Sequence, residues 1–123
     1  MQLDFIGFDA CLMATAEVAY ALDPYADYLI ASEESEPGEG WAYKMCVTMR
    51  AEDPAVPTAE LGKKLADDFL EADIFADMPT LSVLDLRYVP KLCAALESYW
   101  GSAYTALQSG SYGAFSQVRN NVR

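Results

Sequence analysis

Cysteine and carboxylate side chains are the groups in this chain whose types and spacing could do chemistry. Cys11 closes a short apolar run, Leu3-Asp4-Phe5-Ile6-Gly7-Phe8-Asp9-Ala10-Cys11, and stands just before a helical pattern. A thiol at the carboxyl end of a strand occupies the place where α/β sheets present reactive groups. A helix N-terminus beside it favours the thiolate, the form that attacks carbonyl carbon. Asp9, two residues earlier, brings a carboxylate to the same strand end. The competing reading of Cys11 is a buried apolar side chain, because free cysteine is among the most buried residue types. Both readings stay open at this point.

The second cluster is Glu33-Glu34-Ser35-Glu36-Pro37-Gly38-Glu39-Gly40-Trp41, with four glutamates within seven residues. Like charges this dense repel unless a cation or a basic group shares them. The segment reads either as a solvated acidic loop or as a loop that recognises a cation. It lacks the EF-hand pattern, so it is not read as a dedicated calcium loop. Cys46 and Cys93 are the other two cysteines; no CxxC spacing is present, which argues against zinc. Cys93 falls on an apolar helical stripe and reads as core. The chain contains no histidine. Chemistry that needs imidazole as general base cannot be completed by these residues alone.

These groups need elements to hold them. A first buried-looking strand, about Leu3 to Phe8, feeds a helix from about Leu12 to Leu22, which Asp23-Pro24 ends. Ala26 to Ser32 reads as a second strand. Strand, helix and strand within ~30 residues make a βαβ unit with parallel pairing. After the acidic loop, Ala42 to Met49 reads as a short helix or an edge strand, the helix being preferred. Thr58 caps a helix to about Ala72, with Leu61, Leu65, Phe69 and Ala72 on one face and Lys63, Lys64, Asp67, Asp68 and Glu71 off it. Thr80 to Leu86 is apolar on both faces apart from Ser82 and Asp85, which suits an interior strand. A long helix starts near Val89-Pro90, with Val89, Leu92, Cys93, Leu96, Tyr99, Trp100, Ala103 and Leu107 at helical spacing. Ser109-Gly110 breaks it, and Tyr112, Phe115, Val118 or Arg119, and Val122 suggest a last amphipathic helix.

The fold class is therefore α/β. Three strands are few for a complete sandwich, and both ends lie inside element patterns. The expectation is one domain fragment over residues 1–123. Hydrophobic residues make up 53% of the 123, enough for a core. The net charge of -11 argues against a nucleic-acid partner, because phosphate binding needs clustered Lys and Arg. No run of 18 apolar residues is present, so no membrane partner is expected.

Phe5-Ile6-Gly7-Phe8-Asp9-Ala10-Cys11-Leu12-Met13-Ala14, followed by Glu17-Val18-Ala19-Tyr20, resembles the segment around the nucleophile of the clostripain-like cysteine peptidases. Ala26-Asp27-Tyr28-Leu29-Ile30-Ala31-Ser32-Glu33-Glu34, with Glu36-Pro37-Gly38-Glu39-Gly40-Trp41, is similar to that family's next signature, and Leu81-Ser82-Val83-Leu84-Asp85-Leu86 to a third. The resemblance covers roughly residues 3 to 105.

It implies part of a caspase-like α/β/α sandwich with a mostly parallel sheet, the carboxyl-terminal part of the peptidase domain. The histidine-bearing part would be missing. It implies a bacterial, secreted or cell-surface endopeptidase that cleaves after Arg or Lys with a Cys/His dyad. Cys11 would be the nucleophile. Asp9 would line the pocket for the basic side chain with a loop carboxylate, Glu39 with Glu36 as its rival. No cofactor is expected; calcium dependence occurs in parts of the family, and no site for it is visible in the sequence.

Alone, the chain would lack turnover. The physics agrees, because a guanidinium in a partly buried pocket needs a carboxylate of good geometry. The expected partners are an Arg- or Lys-bearing peptide, the missing histidine-bearing segment and, through an open sheet edge, a second copy. The alternative is a non-catalytic module that binds basic peptides through its acidic loop.

Overall fold

The computed structural model describes residues 2–72 and 80–121. Its centre is strand β2 (Ala26–Ala31), where Ala26, Leu29, Ile30 and Ala31 are buried. Side chains alternate along a strand, so Leu29 and Ile30 point to opposite faces, and both are shut from solvent. β2 is thus covered on both faces. Helices α1 (Ala16–Leu22) and α3 (Thr58–Ala72) each contact it.

β1 (Leu3–Gly7) pairs with β2 in parallel, Leu3 opposite Ala26 and Gly7 opposite Ile30. β3 (Ser82–Asp85) pairs on the other side in antiparallel register, Tyr28 opposite Asp85 and Ala31 opposite Ser82. The order β1-β2-β3 makes a mixed sheet of one parallel and one antiparallel ladder. The connection from β2 to β3 passes through α2 (Tyr43–Glu52) and α3, long enough to return the chain in either direction.

Two expectations about strand burial need correction. β1 was read as buried, yet Leu3 and Phe5 are 44% and 40% exposed. β3 was read as an interior strand, yet all four residues are only half-buried. Both are outer strands of the described sheet, with β2 on one side only. An apolar run reports a strand but not its rank in the sheet.

The core lies between β2 and α3. Ile30, Trp41, Leu65 and Phe69 form it, with Cys46, Leu81 and Val83 packed against it. Of the face read from the helical spacing, the side chain of Ala72 lies outside those described, and Leu61, Leu65 and Phe69 are buried. Burying such a side chain contributes ~1.5–3 kcal/mol, so this stripe, not helix propensity, holds α3 in place. Gly62 permits the close approach: a Cβ there would stand 2.8 Å from Val83 and 3.3 Å from Ile30.

The first helix starts later than its spacing predicts, at Ala16 instead of Leu12. The N–H groups of Leu12 and Ala14 are spent elsewhere, on Glu34 O (3.0 Å) and Ser32 O (2.9 Å). Leu12 also sits at φ 61°, in the left-handed region. Thr15 then caps the helix by accepting from Val18 N at 3.2 Å.

The chain divides into two compact units, one up to Val89 and one from Pro90 onward. The second holds most of α4 (Val89–Gln108) and all of α5 (Tyr112–Asn120), with Gly110 at φ +89° between them. The α4 stripe is largely in water: Leu92, Leu96, Tyr99, Trp100 and Leu107 are exposed, and Ala103 is buried. Cys93, read as core, is half-buried instead. A nine-residue helix is too short to cover one of twenty residues. Val122 lies outside the described residues.

Candidate functional site

Two segments meet at the carboxyl end of the β1-β2 ladder. One is the stretch after β1 that carries Asp9 and Cys11. The other is the acidic loop after β2. Continued pairing joins them: Phe8 N donates to Ile30 O (3.0 Å), Ala14 N to Ser32 O and Leu12 N to Glu34 O. Cys11 is therefore held in a turn that runs alongside residues 32–36.

The acidic loop is anchored where it leaves β2. Ser32 is fully buried, and its hydroxyl exchanges a hydrogen bond with Thr80 Oγ1 at 2.9 Å and accepts from Glu34 N at 3.0 Å. Glu33 N donates to Thr80 Oγ1 (3.1 Å), and Ser82 Oγ donates to Glu33 Oε1 (2.7 Å). A buried hydroxyl must be paired, so this network fixes the loop's exit. It engages the Glu33 carboxylate and the Glu34 main chain.

Cys11 is exposed, which removes the core reading. Its sulfur meets the main chain of Glu36: Glu36 N–H donates to Sγ at 3.2 Å, and the thiol faces Glu36 O at 3.9 Å. The expected helix N-terminus is not beside it. Thr15 caps that helix four residues further on, and a helix end acts only within its own first turn. The backbone amide of Glu36 takes the place of the helix as the nearest donor to the sulfur.

Asp9 lies on the other flank of the same loop. Its Oδ2 accepts from Trp41 N at 3.1 Å and from Tyr43 OH at 2.7 Å. Burial, with Asp9 next, pushes the Tyr43 phenol up to about 12, so it stays protonated and donating into the alkaline range. Gly40 has φ +72°, and a Cβ there would come within 2.7 Å of Asp9 Oδ2. A side chain at this position would be strained and would displace the carboxylate.

Glu36 links the two flanks. Its Oε2 accepts from Trp41 Nε1 at 3.2 Å, while Oε1 is shut from solvent and receives no N–H or hydroxyl donor among the described residues. Burial pushes its carboxyl above the usual carboxylate range; the Trp41 indole opposes this, and the Asp9 charge adds to it. Trp41 is thus shared, its main chain on Asp9 and its ring on Glu36. The ring also packs in the core.

The structure brings Asp9, Cys11 and Glu36 together. Glu39 is exposed, and its carboxylate takes no partner among the described residues. Trp41, Tyr43 and Ser32 were not read as functional from sequence. The aromatic residues that follow Gly40 were the available signal for the first two. Among the described residues no group of three or more His, Cys, Asp or Glu side chains is placed to hold a metal ion. No described helix is long and apolar enough to cross a membrane.

A family model of the clostripain family matches residues 1–121. Three solved structures are similar. A clostripain from Bacteroides thetaiotaomicron in complex with the peptide inhibitor BTN-VLTK-AOMK has 26% identity and TM-score 0.60, over 76% of this chain and 40% of that one. A B. fragilis cysteine protease has 28% identity and TM-score 0.59, over 75% and 41%. A secreted C11 cysteine protease from B. thetaiotaomicron in complex with an irreversible peptide inhibitor has 30% identity and TM-score 0.61, over 77% and 29%. The matched part of each neighbour is less than half its length. No curated protein matches.

Proposed function

The chain belongs to the clostripain family, and from that premise we propose that it carries the nucleophile and the cation-recognising carboxylates of a cysteine endopeptidase that cleaves after arginine or lysine. One observation carries the reading: an exposed thiol and the carboxylates of Asp9 and Glu36 share one strand end, Glu36 donating its backbone N–H to the thiol and sharing Trp41 with Asp9. The neighbouring clostripain in complex with the peptide inhibitor BTN-VLTK-AOMK, whose VLTK portion ends in lysine, supports the side-chain preference.

In the proposed reaction the Cys11 thiolate attacks the scissile carbonyl carbon, forming a C–S bond as the carbonyl electrons move to oxygen. The Cys11 backbone N–H is the proposed donor to that oxyanion. Collapse breaks the C–N bond, and the leaving amine takes the proton that a histidine first removed from the thiol. Water then cleaves the thioester. This chain contains no histidine, so the acid–base partner comes from a segment or chain beyond these 123 residues.

Asp9 holds the substrate's guanidinium or ammonium from the strand side. The second carboxylate comes from the acidic loop. Glu39, exposed and unengaged, is free to swing onto the cation, and Glu36 is its rival from beneath. No cofactor is needed for this chemistry. β1, an outer strand with exposed apolar side chains, is the proposed edge for the histidine-bearing part or, in its absence, for a second copy. Secretion or surface display follows the same reading; one neighbour is a secreted protease.

The test compares this chain with a longer polypeptide that includes its native upstream sequence, on arginyl, lysyl and aspartyl reporter peptides, with Cys11→Ala as control. The expected result is hydrolysis of arginyl or lysyl reporters by the longer polypeptide alone, abolished by Cys11→Ala. A longer polypeptide that binds arginine peptides without cleaving them would make the chain a binding module instead.

A further inference from the structure

The sulfur of Cys11 is touched by one backbone amide, and the side chain of that same residue is anchored elsewhere. Glu36 N–H donates to Sγ at 3.2 Å. The Glu36 carboxylate is held by the indole N–H of Trp41, a side chain only 6% exposed and packed with Ile30, Leu65 and Phe69. The loop is pinned on either side of Glu36, at Glu34 by Leu12 N (3.0 Å) and at Trp41 N by Asp9 Oδ2 (3.1 Å), and its internal turn is the Gly40 N to Pro37 O bond at 3.3 Å; between those points the indole bond is what ties the Glu36 side chain down. An amide N–H aimed at a sulfur stabilises the thiolate more than the thiol, because hydrogen bonds to an ionised acceptor are the stronger ones.

We propose that Glu36 is a positioning residue: its carboxylate, clamped by Trp41 to the core, holds the loop so that its own backbone N–H donates to the Cys11 sulfur. The inference rests on Cys11 being the reactive group and goes further than recognition of a basic side chain. It gives the Glu36 side chain a task that needs no substrate.

Two effects of removing the Glu36 carboxylate have opposite signs. Loss of a nearby negative charge favours the thiolate and speeds its alkylation. Loss of the clamp frees the loop, withdraws the amide and slows alkylation. Glu36→Gln removes the charge but keeps an oxygen acceptor for the indole, whereas Glu36→Ala removes both. Trp41→Phe removes the indole N–H and leaves the Glu36 carboxylate in place.

The experiment measures the iodoacetamide rate at Cys11 in the chain near neutral pH. Peptide mass spectrometry separates Cys11 from Cys46 and Cys93, and circular dichroism checks that each variant is folded. The expected result is a Glu36→Gln rate at least equal to the unsubstituted chain, with Glu36→Ala and Trp41→Phe slower by about five- to tenfold. Glu36→Ala alkylating as fast as the unsubstituted chain, or Glu36→Gln slowing as much as Glu36→Ala, overturns the proposal. Should Glu36→Ala fail to fold, Trp41→Phe decides alone, an unchanged rate overturning the proposal. Alkylation requires no peptide hydrolysis, so this outcome is independent of whether the longer polypeptide proves to be a peptidase.

Discussion

Glu36 carries a carboxylate oxygen shut from solvent with the Asp9 carboxylate close by, and such a group costs stability when charged. Burial first, and then Asp9, raises its proton affinity in the folded chain above that of the unfolded one. Below the ordinary glutamate range both states are protonated, and the contribution to stability is at its fullest. As pH rises through the raised folded value, the folded state must give up a proton it holds more tightly, and that contribution is lost. Glu36→Gln removes the titration and keeps the acceptor for Trp41. The expected outcome is a higher melting temperature than the unsubstituted chain at pH 8 and a smaller difference at pH 4. Thermal melts by circular dichroism at the two pH values check it, and an equal or lower melting temperature at pH 8 contradicts the assignment. The same desolvation, with Asp9 next, pushes the Tyr43 phenol up to about 12, so Asp9 retains a phenol donor into the alkaline range.

At the scale of elements, the site is the meeting of two loops that leave neighbouring parallel strands at the same end. Their alignment depends on backbone as much as on side chains. Gly40 sits at φ +72° with Asp9 Oδ2 only 2.7 Å from where a Cβ would be. Gly40→Ala should destabilise the chain by about 1 kcal/mol or more through strain alone. In the longer polypeptide it should raise KM for arginyl reporters at least severalfold while changing kcat less, because it moves Asp9 and leaves Cys11 in place. Melting curves and initial rates check this; unchanged KM would place the cation away from Asp9. The elements around the site were largely legible beforehand. The βαβ order, the α3 face of Leu61, Leu65 and Phe69, and the break at Gly110 follow from periodicity and turn chemistry. The start of α1 was not, because the N–H groups of Leu12 and Ala14 are taken by carbonyls twenty or so residues away, and periodicity cannot report a long-range bond. Nor was the exposure of β1 and of the α4 stripe, since an apolar pattern shows which face wants a partner, not whether these residues supply one. Trp41 as a shared donor to Asp9 and Glu36 escaped for the same reason.

At the scale of the molecule, a caspase-like clostripain-family α/β fold presents a cysteine and a carboxylate cluster on a surface with net charge -11. That charge favours the approach of cationic peptides by long-range attraction. The matched region makes up 40%, 41% and 29% of the lengths of its three structural neighbours. The central claim is that Cys11 attacks a carbonyl placed by a basic side chain. It is tested most directly by incubating the longer polypeptide with peptidyl chloromethyl ketones that end in arginine, lysine or aspartate, and locating the adduct by mass spectrometry. The account predicts a single adduct on Cys11, formed at least tenfold faster with the arginyl or lysyl reagent than with the aspartyl one, a preference that a charged pair of ~1.4 kcal/mol suffices to give. Labelling on Cys46 or Cys93, or a Cys11 rate indifferent to the side chain, would contradict it.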